Sequence, residues 1–240
     1  MIVREDGGIV DHQHPVSGAS SHATAPAPSL LFLFDMDDVL YRYDWRTRMA
    51  GMTALTGHDL DELRRRWWND EGEWRAEAGH WPDGDSYLAA LETALGCRVP
   101  EQEWSRIRGS AMTPIPRALD AVRTAARAGR VALLTNNGPL AARHIARWAP
   151  ELPALFGEHL NTSSDFGARK PDPEVFRSAL RHHGVPAVRT FFADDRVENV
   201  EGARHVGITA VHVTPETDLV AAVAAFVAGH GRSGGPEQQD

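Results

Sequence analysis

Short apolar runs alternate with amphipathic stretches along most of the chain. Each run is short and unbroken, which is typical of strands buried on both faces of a parallel sheet. The runs cover residues 30–34, 131–134, 190–193 and 208–213, with a weaker candidate at 158–161. Helical patterns between them cover residues 117–128, 140–148, 173–183 and 197–206. This alternation predicts an α/β fold, a Rossmann-like parallel sheet with helices on both faces.

Residues 45–112 interrupt the alternation, because they hold amphipathic helical segments and no convincing strand. The apolar positions that share a helical face are Leu60, Leu63, Trp67 and Trp74 in one segment and Leu88, Leu91 and Leu95 in another. Pro100 is suited to the first turn of a further helix. We therefore predict a small all-helical domain, called the cap below, with Trp67 and Trp74 in its core. Inserted after the first strand, it covers the sheet edge where ligands bind.

The two ends of the chain differ in composition from the rest. Residues 1–28 mix His, Ser, Ala, Pro and Gly without an apolar period, and residues 229–240 are similar. Such composition predicts a disordered leader and a disordered tail. The division is then a core of residues 29–44 and 113–228, with the cap at 45–112.

Composition and charge exclude several classes of protein. A net charge of −8 with scattered arginines argues against nucleic-acid binding. No apolar run is long enough to span a membrane, and no secretory signal is recognisable, so we expect a cytoplasmic protein. The single cysteine, Cys97, excludes an intramolecular disulfide. Of the 25 basic residues only Lys170 is a lysine, which favours a role that a planar guanidinium cannot fill.

Acidic residues follow two of the predicted strands. Asp35, Asp37 and Asp38 come directly after the first run, and Asp194 and Asp195 end the run at 190–193. Carboxylates at the same edge of a parallel sheet repel each other unless a cation lies between them. The pattern indicates a metal site, although a single aspartate at a strand end is also a common cap.

A polar turn and the lone lysine supply candidate phosphate contacts. Thr135 and Asn136 end the second run and lead into a helix, where a hydroxyl, an amide and free backbone N–H groups can bind a phosphate oxygen. Lys170 stands just before the helix at 173–183. Each feature has an ordinary alternative, a helix cap for the first and an exposed turn lysine for the second.

These four motifs, in this order, resemble those of the haloacid dehalogenase-like (HAD) superfamily, and the insertion matches the position of its helical cap. The resemblance implies that Asp35 attacks phosphorus and forms an aspartyl phosphate, while Asp37 acts as general acid and then general base. Thr135 and Lys170 would hold the transferring oxygens, with a backbone hydrogen bond from Asn136. A Mg²⁺ ion would be bound by Asp35, the backbone carbonyl of Asp37 and Asp195, with Asp194 acting directly or through water.

The resemblance predicts a Mg²⁺-dependent phosphatase that acts on a small phosphorylated metabolite. Asp37 favours phosphate esters, because the family's dehalogenases lack this second carboxylate, and a cap without lysine argues against the phosphonate-cleaving branch. Asp38 departs from the family pattern, which usually has glycine there. The alternatives are a phosphomutase, a metal-free 2-haloacid dehalogenase and a catalytically silent binding protein. A looser resemblance, to bacterial members that hydrolyse sugar phosphates, rests on the helical cap, the Thr-Asn-Asn turn and the stretch ending at Asn199.

Three cap residues are candidates for substrate contact. Trp45, His80 and Trp81 fall in predicted loops, and their rings could stack on a substrate.

Overall fold

A computed structural model describes residues 30–69 and 72–231, and its centre is a five-stranded parallel sheet. The strand order is β5-β4-β1-β6-β7. The strands are β1 (Leu30–Phe34), β4 (Gly129–Thr135), β5 (Leu160–Thr162), β6 (Thr190–Asp194) and β7 (Thr209–His212), and a separate antiparallel pair is formed by β2 (Tyr41–Tyr43) and β3 (Met112–Pro114). All five predicted sheet strands are confirmed, the first with its predicted ends and the others with ends shifted by at most two residues.

Helices cover both faces of the sheet. They are α6 (Pro116–Ala126), α7 (Pro139–Trp148), α8 (Leu152–Phe156), α9 (Pro173–His183), α10 (Val197–His205) and α11 (Leu219–Gly231). Successive side chains of β1 point to opposite faces. Phe32 and Phe34 pack with residues of α6, α7, α8 and α11, whereas Leu31 and Leu33 pack with residues of α9 and α10. The predicted α/β fold class is therefore confirmed.

Strand register brings the predicted motifs to one edge. Phe34 at the end of β1 pairs with Leu133 of β4 and with Ala193 of β6. The residues that follow these positions leave the sheet side by side at its carboxyl edge, where ligands of such folds bind.

The cap lies between β2 and β3, the paired strands through which the chain enters and leaves it. Its helices are α1 (Trp45–Thr56), α2 (Leu60–Leu63), α3 (Glu73–Glu77), α4 (Gly84–Leu95) and α5 (Glu101–Ser110), with a π-helical turn at Arg64–Trp68. Cap helices α4 and α5 pack on α7 of the core. His144 of α7 contacts Glu101 at 2.7 Å, and the indole N–H of Trp148 donates to Ser105 Oγ at 2.9 Å.

Three sequence predictions need correction. The helical segment that contains Trp67 ends with the π-helical turn, and a separate helix, α3, begins at Glu73. Trp74 is therefore not on the same helical face and is 47% exposed, whereas Trp67 is buried as predicted. Trp45 does not lie in a loop: Asp44 accepts hydrogen bonds from the next backbone N–H groups and starts α1 at Trp45. The tail predicted from residue 229 is helical through Gly231, the end of α11.

The predicted leader at 1–28 and residues 232–240 of the predicted tail lie outside the described residues. Among the described helices, none combines the length and the apolar content that crossing a bilayer requires.

Candidate active site

Three carboxylates converge at the carboxyl edge of the sheet. Oxygens of Asp35, Asp194 and Asp195 lie within 4.8 Å of one another, at the ends of β1 and β6. Burial, with the neighbouring charges of Asp194 and Asp37, raises the pKa of Asp35 to about 8 against the opposing effect of Lys170. Burial and the charges of Asp194 and Asp38 likewise raise the pKa of Asp195 to about 6. Mutually repelling oxygen ligands of this kind fit a hard divalent cation such as Mg²⁺.

Lys170 is the cation inside this cluster. Its Nζ lies 2.8 Å from Asp35 Oδ1 and 2.6 Å from Asp194 Oδ2, and the side chain is 1% exposed. Burial would lower the pKa of Lys170, but the charges of Asp194 and Asp35 raise it, so the ammonium form persists. Lys170 is therefore a fully buried charge in the site, and its alternative role as an exposed turn residue is excluded.

The loop after β4 positions both Thr135 and Lys170. Asn136 Oδ1 accepts from the backbone N–H of Lys170 and its Nδ2 donates to the backbone carbonyl of Lys170, both at 2.9 Å. Asn137 Nδ2 donates to Thr135 Oγ1 at 3.0 Å. Thus the side chain of Asn136 already holds the loop before α9 that carries Lys170, called the lysine loop below. The backbone contact to phosphate predicted for Asn136 stays a prediction.

Asp194 is held rigidly from its other side. Its Oδ1 accepts from the backbone N–H of Arg196 and from Asn199 Nδ2, both at 2.9 Å. Because Oδ2 accepts from Lys170 Nζ, both oxygens are oriented by protein donors, and Oδ2, which has one such donor, retains a lone pair for a further ligand.

The side chain of Asp37 lies apart from the three clustered carboxylates and contacts the cap. Arg108 Nη2 of α5 donates to Asp37 Oδ1 at 2.8 Å and to Oδ2 at 2.6 Å. The arginine is 1% exposed, and its guanidinium lies 4.1 Å from the centre of the Tyr43 ring. Sequence reasoning missed Arg108, because in an arginine-rich helix no pattern distinguishes a buried arginine from the exposed ones.

Asp38 shows why the glycine of the related pattern is replaceable here. Its φ of 57° lies in the left-handed region, which aspartate tolerates better than most residues. Asp38 Oδ1 also accepts from the backbone N–H of Tyr43 at 3.0 Å. This hydrogen bond supports the turn between the first motif and β2.

A groove of about 820 Å³ reaches the acidic cluster from the side of β7. Its lining includes Asp195, Asp38, Arg42 and His212. Solvent and small ions therefore have a route to Asp195 that does not pass under the cap.

A second contact joins cap and core beside Lys170. Glu77 of α3 accepts from Arg169 Nε at 2.6 Å, and its backbone carbonyl accepts from Ser163 Oγ at 2.7 Å. Arg169 also lies 4.7 Å over the ring of Trp74. Burial raises the pKa of Glu77 to about 7 although Arg169 opposes the shift.

The three predicted substrate residues contact other parts of the cap. Trp45 meets Trp68 edge-on, and His80 contacts Arg75 and Trp81. Trp81 stacks on Trp67 with 5.2 Å between ring centres and lines a cap cavity of about 430 Å³. The structure does not bring these rings together with the carboxylates, and their contact with substrate stays a prediction.

Comparisons with known proteins agree with this geometry. The model of the haloacid dehalogenase-like hydrolase family matches residues 30–207. Phosphatase MT3486 of Mycobacterium tuberculosis is 30% identical over 195 residues, which cover 74% of this chain and 84% of the relative.

Solved structures share the fold. HAD family enzyme bt-2542 from Bacteroides thetaiotaomicron, in complex with magnesium and inorganic phosphate, has a TM-score of 0.67 at 20% identity and covers 79% of this chain and 96% of its own. The 2-haloacid dehalogenase from Pseudomonas syringae has a TM-score of 0.57 at 18% identity, covering 84% and 99%. At such identities the likeness concerns the fold, which carries more than one chemistry.

Proposed function

Because the chain belongs to the haloacid dehalogenase-like hydrolases, we propose that it is a Mg²⁺-dependent phosphatase that hydrolyses the phosphate monoester of a small metabolite. The observation that carries this proposal is the buried Lys170 between Asp35 and Asp194, with Asp195 alongside. A cation next to clustered carboxylates suits an anionic substrate that must approach an anionic nucleophile. The relative from Mycobacterium tuberculosis, a phosphatase by name, supports the same reaction.

In the first half of the reaction, a carboxylate oxygen of Asp35 attacks phosphorus. The bond between phosphorus and the ester oxygen breaks as an aspartyl phosphate forms, and Asp37 gives its proton to the departing alcohol. In the second half, Asp37 takes a proton from water, which attacks phosphorus. Inorganic phosphate leaves, and the carboxylate of Asp35 is restored.

The remaining residues orient the phosphoryl group. The Lys170 ammonium and the Thr135 hydroxyl donate to its oxygens and offset their charge. Asp35, Asp194, Asp195 and the backbone carbonyl of Asp37 would hold Mg²⁺, which when bound offsets charge on the transferring group. Asn136 keeps Lys170 at its place through the two backbone hydrogen bonds.

The likeness to dehalogenases raises a second candidate reaction, attack of Asp35 on carbon with release of halide. Two features favour phosphate over this alternative. Asp37 supplies a second carboxylate on the leaving-group side, and three clustered carboxylates form a cation site that a metal-free reaction does not need. A halide assay with chelator present tests the alternative directly.

The first test is a screen of phosphorylated metabolites, with Mg²⁺ and with a chelator, that measures released phosphate. We expect release that the chelator abolishes. Asp35→Asn should lose at least about 10³-fold in kcat because the amide is a poor nucleophile. Asp120→Asn, which alters an exposed aspartate paired with Arg123, is the matched control and should keep full activity.

Full turnover by Asp35→Asn would contradict the mechanism. Transfer of phosphate to a second hydroxyl of a sugar phosphate, detected by product analysis, would identify a phosphomutase. Binding of phosphorylated metabolites without turnover would identify a silent binding protein.

A further inference from the structure

We propose that Arg108 is a positioning residue by which the cap orients Asp37, the general acid. Asp37 is then aligned with the leaving group only while the cap is packed on the core. The inference rests on the proposed function, because it assigns Asp37 the proton transfer. Arg108 acts through Asp37.

The geometry of the pair is the first support. Arg108 donates to both oxygens of Asp37, and the side chain of Asp37 is 26% exposed while that of Arg108 is 1% exposed. Both contacts come from Nη2, and donation to two oxygens restricts rotation of the carboxylate more than donation to one would. The orientation of Asp37 is thus fixed from the cap side.

The remaining donors of Arg108 argue against a purely structural role. Its Nε and Nη1 are buried without a hydrogen-bond partner among the described residues. Each unmet buried donor lowers stability, and a buried ion pair is often no more stable than apolar side chains of similar size. A guanidinium at this place is better explained by its effect on the orientation of Asp37.

Aromatic rings fix the plane of the guanidinium. Tyr43 of β2 lies 4.1 Å from it and Trp148 of α7 lies 5.3 Å from it, both measured to the ring centre. The Tyr43 hydroxyl in turn accepts from Arg48, which pairs with Glu73 of the cap. Arg108 is therefore held by the cap, the entry strand and the core together, and displacement of α5 would separate it from Asp37.

This arrangement makes a prediction about leaving groups. An acidic leaving group such as p-nitrophenol departs with little help from a proton donor, whereas an alcohol needs protonation. Loss of Arg108 should therefore leave the hydrolysis of p-nitrophenyl phosphate nearly unchanged. It should slow the hydrolysis of phenyl phosphate, and it should slow the hydrolysis of glycerol phosphate most. A structural defect would lower all three rates alike.

The experiment compares Arg108→Met with the native protein on these three substrates at saturating Mg²⁺. We expect kcat for glycerol phosphate to fall by about 10²-fold and kcat for p-nitrophenyl phosphate by less than about fivefold. Arg106→Met is the matched control, since Arg106 lies on the same helix and is 63% exposed with Glu103 as its partner. It should leave all three rates unchanged.

A double-mutant cycle tests whether Arg108 acts through Asp37. In an Asp37→Asn background, Arg108→Met should lower glycerol phosphate hydrolysis by less than about twofold. Arg108→Lys, which keeps the charge, serves if the Met variant does not fold, and it should show the same ordering of substrates with smaller losses.

Equal losses on all three substrates, or effects that add fully with Asp37→Asn, would overturn the role of Arg108. Failure of the native protein to hydrolyse any phosphate ester would instead overturn the proposed function, so the two failures are distinguishable.

Discussion

At the scale of the residue, Lys170 is a buried cation that contacts two carboxylates at once. Its Nζ lies within 2.8 Å of two carboxylates at the ends of different strands, and its side chain is 1% exposed. An ammonium can point three donors in different directions from one atom, which suits this placement between Asp35 and Asp194.

We expect Lys170→Arg to lower kcat/KM by at least about 10²-fold although the charge is retained, because a planar guanidinium cannot replace the ammonium between the two carboxylates. Lys170→Met should in addition lower the free energy of unfolding by about 3 to 5 kcal/mol, since it leaves buried carboxylates without their cation. Phosphate release and urea unfolding measure the two effects. Near-native activity of the Arg variant would show that only the charge matters at this position.

At the scale of the element, two loops from different parts of the chain form one unit. The loop after β4 holds the loop before α9 through the side chain of Asn136, which satisfies the backbone N–H and the carbonyl of Lys170. Thr135 and Lys170, which we propose bind the phosphoryl group, are therefore held in place by the same loop pair.

Asn136→Ala should lower the free energy of unfolding by about 1 to 3 kcal/mol, because it leaves two backbone groups of the lysine loop unpaired. We also expect kcat to fall by roughly tenfold, since the ammonium loses its fixed position. Thermal unfolding and phosphate release check the two expectations. Asn161→Ala is a suitable control, because Asn161 Oδ1 has no hydrogen-bond partner among the described residues. Equal effects of both substitutions would contradict the role given to Asn136.

The elements also show where sequence patterns succeed. The sheet strands are predictable because each is an unbroken apolar run, and their order along the chain places Asp35, Thr135 and Asp194 at one edge. Helix α11 is not predictable in this way, because its sequence is apolar on nearly every side and shows no helical period. Strands β2 and β3 are too short for a pattern.

Inside the cap, patterns fail for a different reason. A regular helical period through Leu60 and Trp74 assumes one continuous helix, but the π-helical turn ends it and exposes Trp74. The pairing of Arg108 with Asp37 depends on how α5 sits over the core, which only tertiary packing decides.

At the scale of the whole molecule, the cap is fastened to the core on two sides. Helices α4 and α5 pack on α7, and Glu77 binds Arg169 near the lysine loop. The Glu77 contact is the smaller of the two, and burial raises the pKa of Glu77, so we expect this contact to respond to pH. Glu73, Lys170 and Arg169 are the charged groups that act on it.

Because burial raises the pKa of Glu77 from 4.5 to about 7, the folded protein keeps a proton there that the unfolded chain has released. Its contribution to stability should fall as the pH rises through this window and stay low above about pH 7. Glu77→Gln is neutral at every pH, so its free energy of unfolding relative to the native protein should rise by up to roughly 3 kcal/mol between about pH 4.5 and pH 8.

Urea unfolding of both proteins across this range measures the difference. Glu103→Gln, at an exposed position of α5, should show no such trend. A constant difference between Glu77→Gln and the native protein would mean that Glu77 titrates normally in the folded state.

The single lysine of the sequence also makes the site visible to covalent labelling. Amine-directed acylating reagents react with a free, unprotonated amine, and the only side-chain amine in these 240 residues is buried between two carboxylates. Acylation of that side chain should therefore be very slow in the folded protein and fast once it unfolds. The rate of labelling, measured by mass spectrometry of the peptide that contains Lys170, would then report the rate at which the site opens. No other lysine contributes to this signal.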